Sequence, residues 1–236
     1  MSLFRYLHEC KVASTNQINR DVFVASIVKT RERLQKLRAH GLICAVARDE
    51  EVDQCMVYSL TKVSARMLKQ IYPEMFLIDR LKSNSINHDL RLNDVKYALT
   101  SKTLVTNYWT ENILQSSIAV TNNLELSVFR TLQVDALVKL DNKQGGELLC
   151  ALELEASCKG AAKYERKLKI LYSAAQVGVV LYVCMNPEIE QVLKKNELLV
   201  SPAGQKKIYY AQYGEVTSKS MPVVFQNQNG FVIEII

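Results

Sequence analysis

Two glutamates, Glu153 and Glu155, stand one residue apart inside the apolar run "LLCALELEAS" (148–157). In a β-strand alternate side chains share a face, so both carboxylates project the same way as Ala151, while Leu152 and Leu154 take the other face. A third acid, Asp135, lies in "VDALVKL" (134–140), an apolar segment joined to the first by the polar turn "DNKQGG". If the two segments pair, three carboxylates converge at one end of a sheet. That concentration of negative charge is costly unless a cation neutralises it. Oxygen donors with nothing soft nearby are what Mg²⁺ or Mn²⁺ prefers, which makes Asp135, Glu153 and Glu155 the candidate metal ligands. A hard divalent ion polarises a phosphoryl oxygen and lowers the pKa of bound water, the chemistry of phosphodiester cleavage.

Other chemistries find no support. The three histidines, His8, His40 and His88, form no His-x-His pair. There is no GxxxxGK(S/T) loop for ATP and no GxSxG element for nucleophilic hydrolysis. The eleven tyrosines include none that its surroundings single out as a nucleophile. The six cysteines show no CxxC pair, which argues for a reducing cytoplasm and against structural zinc. The longest apolar stretch, 177–185, falls far short of the roughly 20 residues that cross a bilayer. The first residues lack a basic segment followed by an apolar one. A cytoplasmic protein without membrane association is expected.

The elements that must position these acids begin with a basic N-terminal region. Residues 1–72 hold twelve Lys or Arg against seven Asp or Glu, a balance of +5, and the rest of the chain holds eighteen against seventeen, a balance of +1. Clustered basic charge suits a polyanion, because neutralised phosphates release counterions. A short helix over Leu3 to Cys10 precedes a second one capped by Ser14 or Thr15. A long amphipathic stretch then runs from Asp21 to His40 and stops at Gly41. "GLICAVARDEEVDQCMVYSL" reads as two strands around a polar tip, and "TKVSARMLKQIY" as a helix capped by Thr61. Helices, a hairpin and a helix in that order make a winged helix. At about 100° per residue, Lys29, Arg33, Lys36 and His40 fall within roughly 60° of one another, opposite Ile27, Leu34 and Leu37. These four are the candidate DNA-binding residues. The acidic tip "DEEVD" (49–53) would be repelled by phosphates, so the helix rather than the tip is expected to approach DNA.

A proline and a polar cluster in residues 73–87 mark a linker between a first domain, 1–72, and a second, 88–236. The second domain opens with a helix from His88 to Leu99 and passes "VTNYWTE", whose Trp109 and Glu111 are expected on the strand or loop beside the site, with a place in the core as the alternative for Trp109. The two acid-bearing strands follow, then a helix over 160–176 and a strand over 177–185. The fold class is α/β, α+β overall, with a mixed sheet flanked by helices. His88 shares a helical face with Leu92, Val95 and Leu99 and is expected to point inward, either toward the site or as a core histidine. Asp89 and Asp94 are expected to be caps or surface groups. Lys163 and Lys167, four residues apart, fall on one face of the helix over 160–176, with Tyr164, Leu168 and Leu171 packing on the sheet. Lys159, in the preceding loop, is a weaker candidate to assist the acids. The tail from "SPAGQKKIYYAQYG" onward reads as extra strands, either completing the sheet or forming an edge for a partner.

The order "VDALV", turn, "CALELEAS" and basic helix resembles the PD-(D/E)XK nuclease fold, here in restriction-endonuclease-like form. With the helices in front and "INHDLRLNDV", roughly residues 5–185 resemble the plasmid replication-relaxation group, and more narrowly the MobC-type relaxases that mobilise plasmids. The resemblance implies that Asp135 and Glu153 hold a catalytic Mg²⁺ or Mn²⁺ and that Glu155 occupies the next position of the motif. Val134 stands where the family has proline, and Glu155 where many relatives have lysine. The fold relocates that lysine to the following helix, so Lys163 and Lys167 become catalytic candidates, and the first helix of the fold gives His88 the same status. The function implied is nicking of one strand at an origin of transfer in double-stranded DNA, with a coupling protein of a conjugation system as a further partner. A homodimer and a monomer are both compatible with the sequence. The alternative is a DNA-binding replication or transcription regulator whose nuclease fold is inactive.

Overall fold

The computed structural model describes residues 2–49, 55–75, 83, 85–116, 122–141, 146–202, 205–218 and 222–236. They form two compact units: residues 1–94 with 112–124, and residues 95–111 with 125–236.

In the first unit, helix α1 (Leu3–Cys10) starts at Ser2, whose side chain accepts from the Arg5 amide. A two-residue strand, β1 (Ala13–Ser14), leads into α2 (Thr15–Ile18). There Ser14 and Gln17 form a reciprocal capping box. The long amphipathic stretch expected from Asp21 to His40 is broken. A π-helical turn over Asn19–Phe23 ends at Val24, which is in the left-handed conformation, and α3 (Ile27–Ala39) begins afresh at the Ser26 cap. Gly41, at φ 67°, takes the left-handed position that ends α3, where a side chain would be strained. Strands β2 (Ile43–Asp49) and β3 (Cys55–Leu60) pair antiparallel with β3 in the centre of a three-stranded sheet. The acidic tip of the hairpin, 50–53, lies outside the described residues. Helix α4 (Lys62–Ile71) starts at Thr61. Tyr6, Leu7, Ile18, Leu34, Ile43, Tyr58 and Leu68 make a common core.

Helix α5 (Ile86–Thr100) gives its first turns to the first unit. The reason is polar: Asn93 donates to the Val12 carbonyl (2.8 Å), Gln17 donates to the Leu90 carbonyl (2.8 Å), and Arg20 binds Asp94 (2.7 Å). The remainder of α5 belongs to the second unit. Most of the expected linker, 76–82 and 84, lies outside the described residues.

The second unit is built on a seven-stranded mixed sheet flanked by helices. Its strands are β4 (Val105–Thr110), β5 (Ala136–Asp141), β6 (Glu147–Glu155), β7 (Val179–Cys184), β8 (Ile208–Gln212), β9 (Val223–Gln226) and β10 (Val232–Ile235). They lie side by side in chain order, and β6, β7 and β8 are parallel. The Ile236 carbonyl, just past outer strand β10, accepts from Leu104 N (3.3 Å) and Thr103 Oγ1 (3.0 Å), just before outer strand β4. The sheet therefore curls. Helices α6 (Glu111–Ser116) and α7 (Leu124–Leu132) occur between β4 and β5, α8 (Ala161–Ser173) between β6 and β7, α9 (Pro187–Val200) between β7 and β8, and α10 (Tyr213–Thr217) after β8. Tyr164, Leu168 and Leu171 form the buried face of α8, at the spacing of a helix that covers a sheet. The tail after 201 supplies β8, β9 and β10 and thus completes the sheet.

Candidate active site

Antiparallel pairing of β5 with β6 ends at Ala136 opposite Leu152, so Asp135 sits at the bend just before β5, level with the next residue of β6, Glu153. With β5 finished, the Leu154 amide needs another acceptor, and Asp135 Oδ2 takes it at 2.8 Å. The Asp135 carbonyl accepts from the Glu111 amide at 2.9 Å. These two bonds lock the first acid against β6.

Glu153 and Glu155 share a face of β6, as alternation requires, and both are buried, at 9% and 5% exposure. Lys167 Nζ, from α8, approaches Glu153 Oε1 to 2.8 Å. The ammonium also donates to the carbonyls of Leu132 (3.3 Å) and Gln133 (3.2 Å), at the end of α7. The contact with Glu153 is thus a close ion pair in which the ammonium is shared with two backbone carbonyls. Burial, with Asp135 beside it, pushes the Glu153 carboxyl up to about 8 against the pull of Lys167 and Lys159. Glu155 Oε2 is bound by Lys159 Nζ at 3.0 Å. The loop that carries Lys159 is held by Tyr164, whose hydroxyl accepts from the Lys159 amide and donates to the Ser157 carbonyl.

The structure thus separates the lysine candidates. Lys167 reaches Glu153, Lys163 lies on the exposed side of α8, and Lys159, the weaker candidate by sequence, is the partner of Glu155. Lys159 follows Glu155 by four residues, a spacing that could have drawn attention to it. Tyr182 is a neighbour that sequence could not reveal. It faces Glu153 across the parallel β6–β7 register and stacks on Tyr210, with ring centroids 6.1 Å apart. Burial and the three carboxylates around it drive its phenol well above the ordinary tyrosine range. Trp109 is half-buried on β4 opposite Leu137, and Glu111 starts α6.

His88 lies on the part of α5 that belongs to the first unit, half-buried, with Nδ1 3.8 Å from Asp89 Oδ1. Asp89 is not a surface residue: it is 7% exposed and has Lys11 Nζ at 3.9 Å. Asp94 is likewise internal in role, fastening α5 to Arg20 and Gln17. On α3, Lys29, Arg33, Lys36 and His40 are all exposed, and the Arg33 guanidinium lies 5.1 Å from the centre of the Phe23 ring.

Comparison with known proteins adds one decisive observation: residues 4–174 match the replication-relaxation family. The chain belongs to that family. No curated protein and no solved structure matches it. The stretch matched by the replication-relaxation family takes in parts of both units and runs through Asp135, β6 and the whole of α8.

As the side chains stand, no three His, Cys, Asp or Glu groups among the described residues are grouped closely enough to hold a metal ion by themselves. The donor set nevertheless fits a hard cation. Mg²⁺ is commonly held by one or two carboxylates, with waters and substrate phosphates completing its shell. Glu153, buried with Asp135 beside it, supplies hard carboxylate oxygen of that kind. No helix among the described residues is long and apolar enough to cross a membrane.

Proposed function

We propose that this member of the replication-relaxation family is a metal-dependent DNA endonuclease of plasmid mobilisation. In this reading the first unit is a winged helix that binds duplex DNA at an origin of transfer, and the second unit nicks one strand. Glu153 carries the proposal. A carboxylate buried on a sheet beside Asp135, with its ionised form disfavoured and a lysine brought to 2.8 Å, costs stability and is hard to explain by packing alone. Asp135, Glu153 and Glu155 would hold Mg²⁺ or Mn²⁺, which when bound supplies Lewis-acid activation of the phosphate and of water. The chain's own residues do the rest. Asp135 is oriented by the Leu154 amide, Lys167 places a positive charge where negative charge grows on the phosphate, and Lys159 balances Glu155. A coupling protein of a conjugation system belongs to the same proposal.

The pairing of both glutamates with lysines favours a second reading, a DNA-binding regulator whose acids are neutralised within the fold. Supercoiled plasmid bearing the origin region, incubated with the protein and Mg²⁺ or Mn²⁺ against EDTA, separates the two. Metal-dependent conversion to open circles, absent in Glu153→Ala, supports the nuclease. Tight binding without relaxation under any metal supports the regulator.

A further inference from the structure

The exposed face of α3 has a pattern that goes beyond basic charge. Thr30 and Leu34 are fully buried, which fixes the inward direction of the helix. At about 100° per residue, Val28, Glu32, Gln35 and Ala39 fall within about 60° of one another, on the side away from Thr30 and Leu34. All four are exposed, Val28 at 59%. This outward stripe is not basic. Its borders are: Arg31 and Arg38 lie roughly 80° to one side of it, and the Lys29, Arg33, Lys36 and His40 row roughly 100° to the other.

A helix lying in the major groove meets base edges along its outward line and a phosphate backbone on either flank. A non-basic stripe between two basic rails has that shape. The stripe's groups also match base-edge chemistry: a glutamine bonds adenine N6 and N7, a glutamate accepts from cytosine N4, and an apolar side chain touches the thymine methyl. Glu32 stands four residues before Lys36 and three after Lys29, yet among the described residues it forms no ion pair with either. Val24, just before the helix, is 82% exposed and adds apolar surface at the same end as Val28.

We infer that α3 reads duplex DNA sequence through Val28, Glu32 and Gln35, with Arg31 and Arg38 on one strand's phosphates and Lys29, Arg33 and Lys36 on the other's. This rests on the proposal that the first unit binds DNA, and it names the residues that set which site is chosen. It gives the Lys29 row, a candidate DNA-binding set by sequence, the part of backbone contact.

The test is selection of bound duplexes from a random-sequence pool by the full chain, repeated with Val28→Ala, Glu32→Ala and Gln35→Ala. Each variant is expected to lose about tenfold discrimination at its own base-pair position. Glu32→Ala should bind random duplex more tightly, since a carboxylate no longer faces phosphates. Arg31→Ala with Arg38→Ala should weaken all sequences alike and lower the salt slope by about 1 for each phosphate no longer neutralised. Wild-type binding with a sequence preference that survives all three stripe variants, or wild-type binding with no preference, overturns the inference and leaves DNA binding intact. Absence of duplex binding by the wild type at low salt overturns the functional proposal itself.

Discussion

At the scale of single residues, Glu153 gathers most of the tension in the second unit. Its carboxyl is pushed up to about 8 because burial and Asp135 outweigh two lysines, one of them 2.8 Å away. A cation at the site would relieve this, and the relief is measurable without turnover. At ten times its Kd, Mg²⁺ adds about 1.4 kcal/mol to the folded state, roughly 3–6 °C in Tm for a chain of this size. Glu153→Gln should abolish that rise as well as nicking, read by thermal melts with and without the ion. The two lysines of α8 should also part company. Lys167→Ala should slow nicking by about 10²-fold if the proposed nuclease reading holds, because in that reading it removes a positive charge beside the reacting phosphate. Lys163→Ala should leave the rate unchanged, its side chain being on the exposed side of the helix. An equal effect of the two substitutions would refute the assignment of Lys167.

At the scale of elements, the break between the π-helical turn and α3 is held open at a cost. Val24 sits at φ 45° and ψ 49°, a left-handed conformation that a β-branched residue resists, and it is 82% exposed, so burial returns little. Val24→Asn should stabilise the fold by about 1 kcal/mol, since asparagine tolerates this region; a urea midpoint that does not rise would contradict the strain. A second element-level effect concerns α1. His8 is 1% exposed, its Nε2 lies 3.4 Å from Ser116 Oγ, and burial pulls its imidazole from 6.5 down to about 4. The unfolded chain binds this proton near pH 6.5 and the folded chain only near 4, so the contribution is complete above 6.5 and falls as pH drops through that window. The loss reaches about 3 kcal/mol at most. Between pH 7.5 and 4.5, His8→Gln should therefore lose less stability than the wild type, as urea midpoints at the two pH values would show.

For the whole molecule, the path of the chain sets the limits of dissection. Residues 112–124 return to the first unit, where Asn112 donates to the His8 carbonyl at 2.6 Å, and α5 runs unbroken from one unit's residues into the other's. A fragment ending at 72 lacks the α5 turns bonded to Val12, Gln17 and Arg20, and one ending at 94 still lacks Asn112 and Ser116. Both should show faster amide exchange in α1 than the full chain does, by hydrogen-exchange mass spectrometry. A 1–72 fragment as protected as the intact protein would favour a first domain that ends at 72.

Much of this was legible in the order of residues. Period-two alternation in 147–155 determined that Glu153 and Glu155 share a face, and the caps Ser14 and Thr61 and the stop at Gly41 determined where helices begin and end, because these are local effects of a few neighbouring residues. The mixed α/β class followed from the succession of such segments. What lies far apart in sequence was decided only by folding. Strand register brings Tyr182 opposite Glu153, the end of β5 frees the Leu154 amide for Asp135, and helix packing selects Lys167 over Lys163. Buried polar bonds join the start of α5, and with it His88, to the first unit. Local periodicity sets the face on which a side chain lies. The partner it meets depends on long-range pairing and on the need to satisfy each buried amide and charge, which only the assembled chain settles.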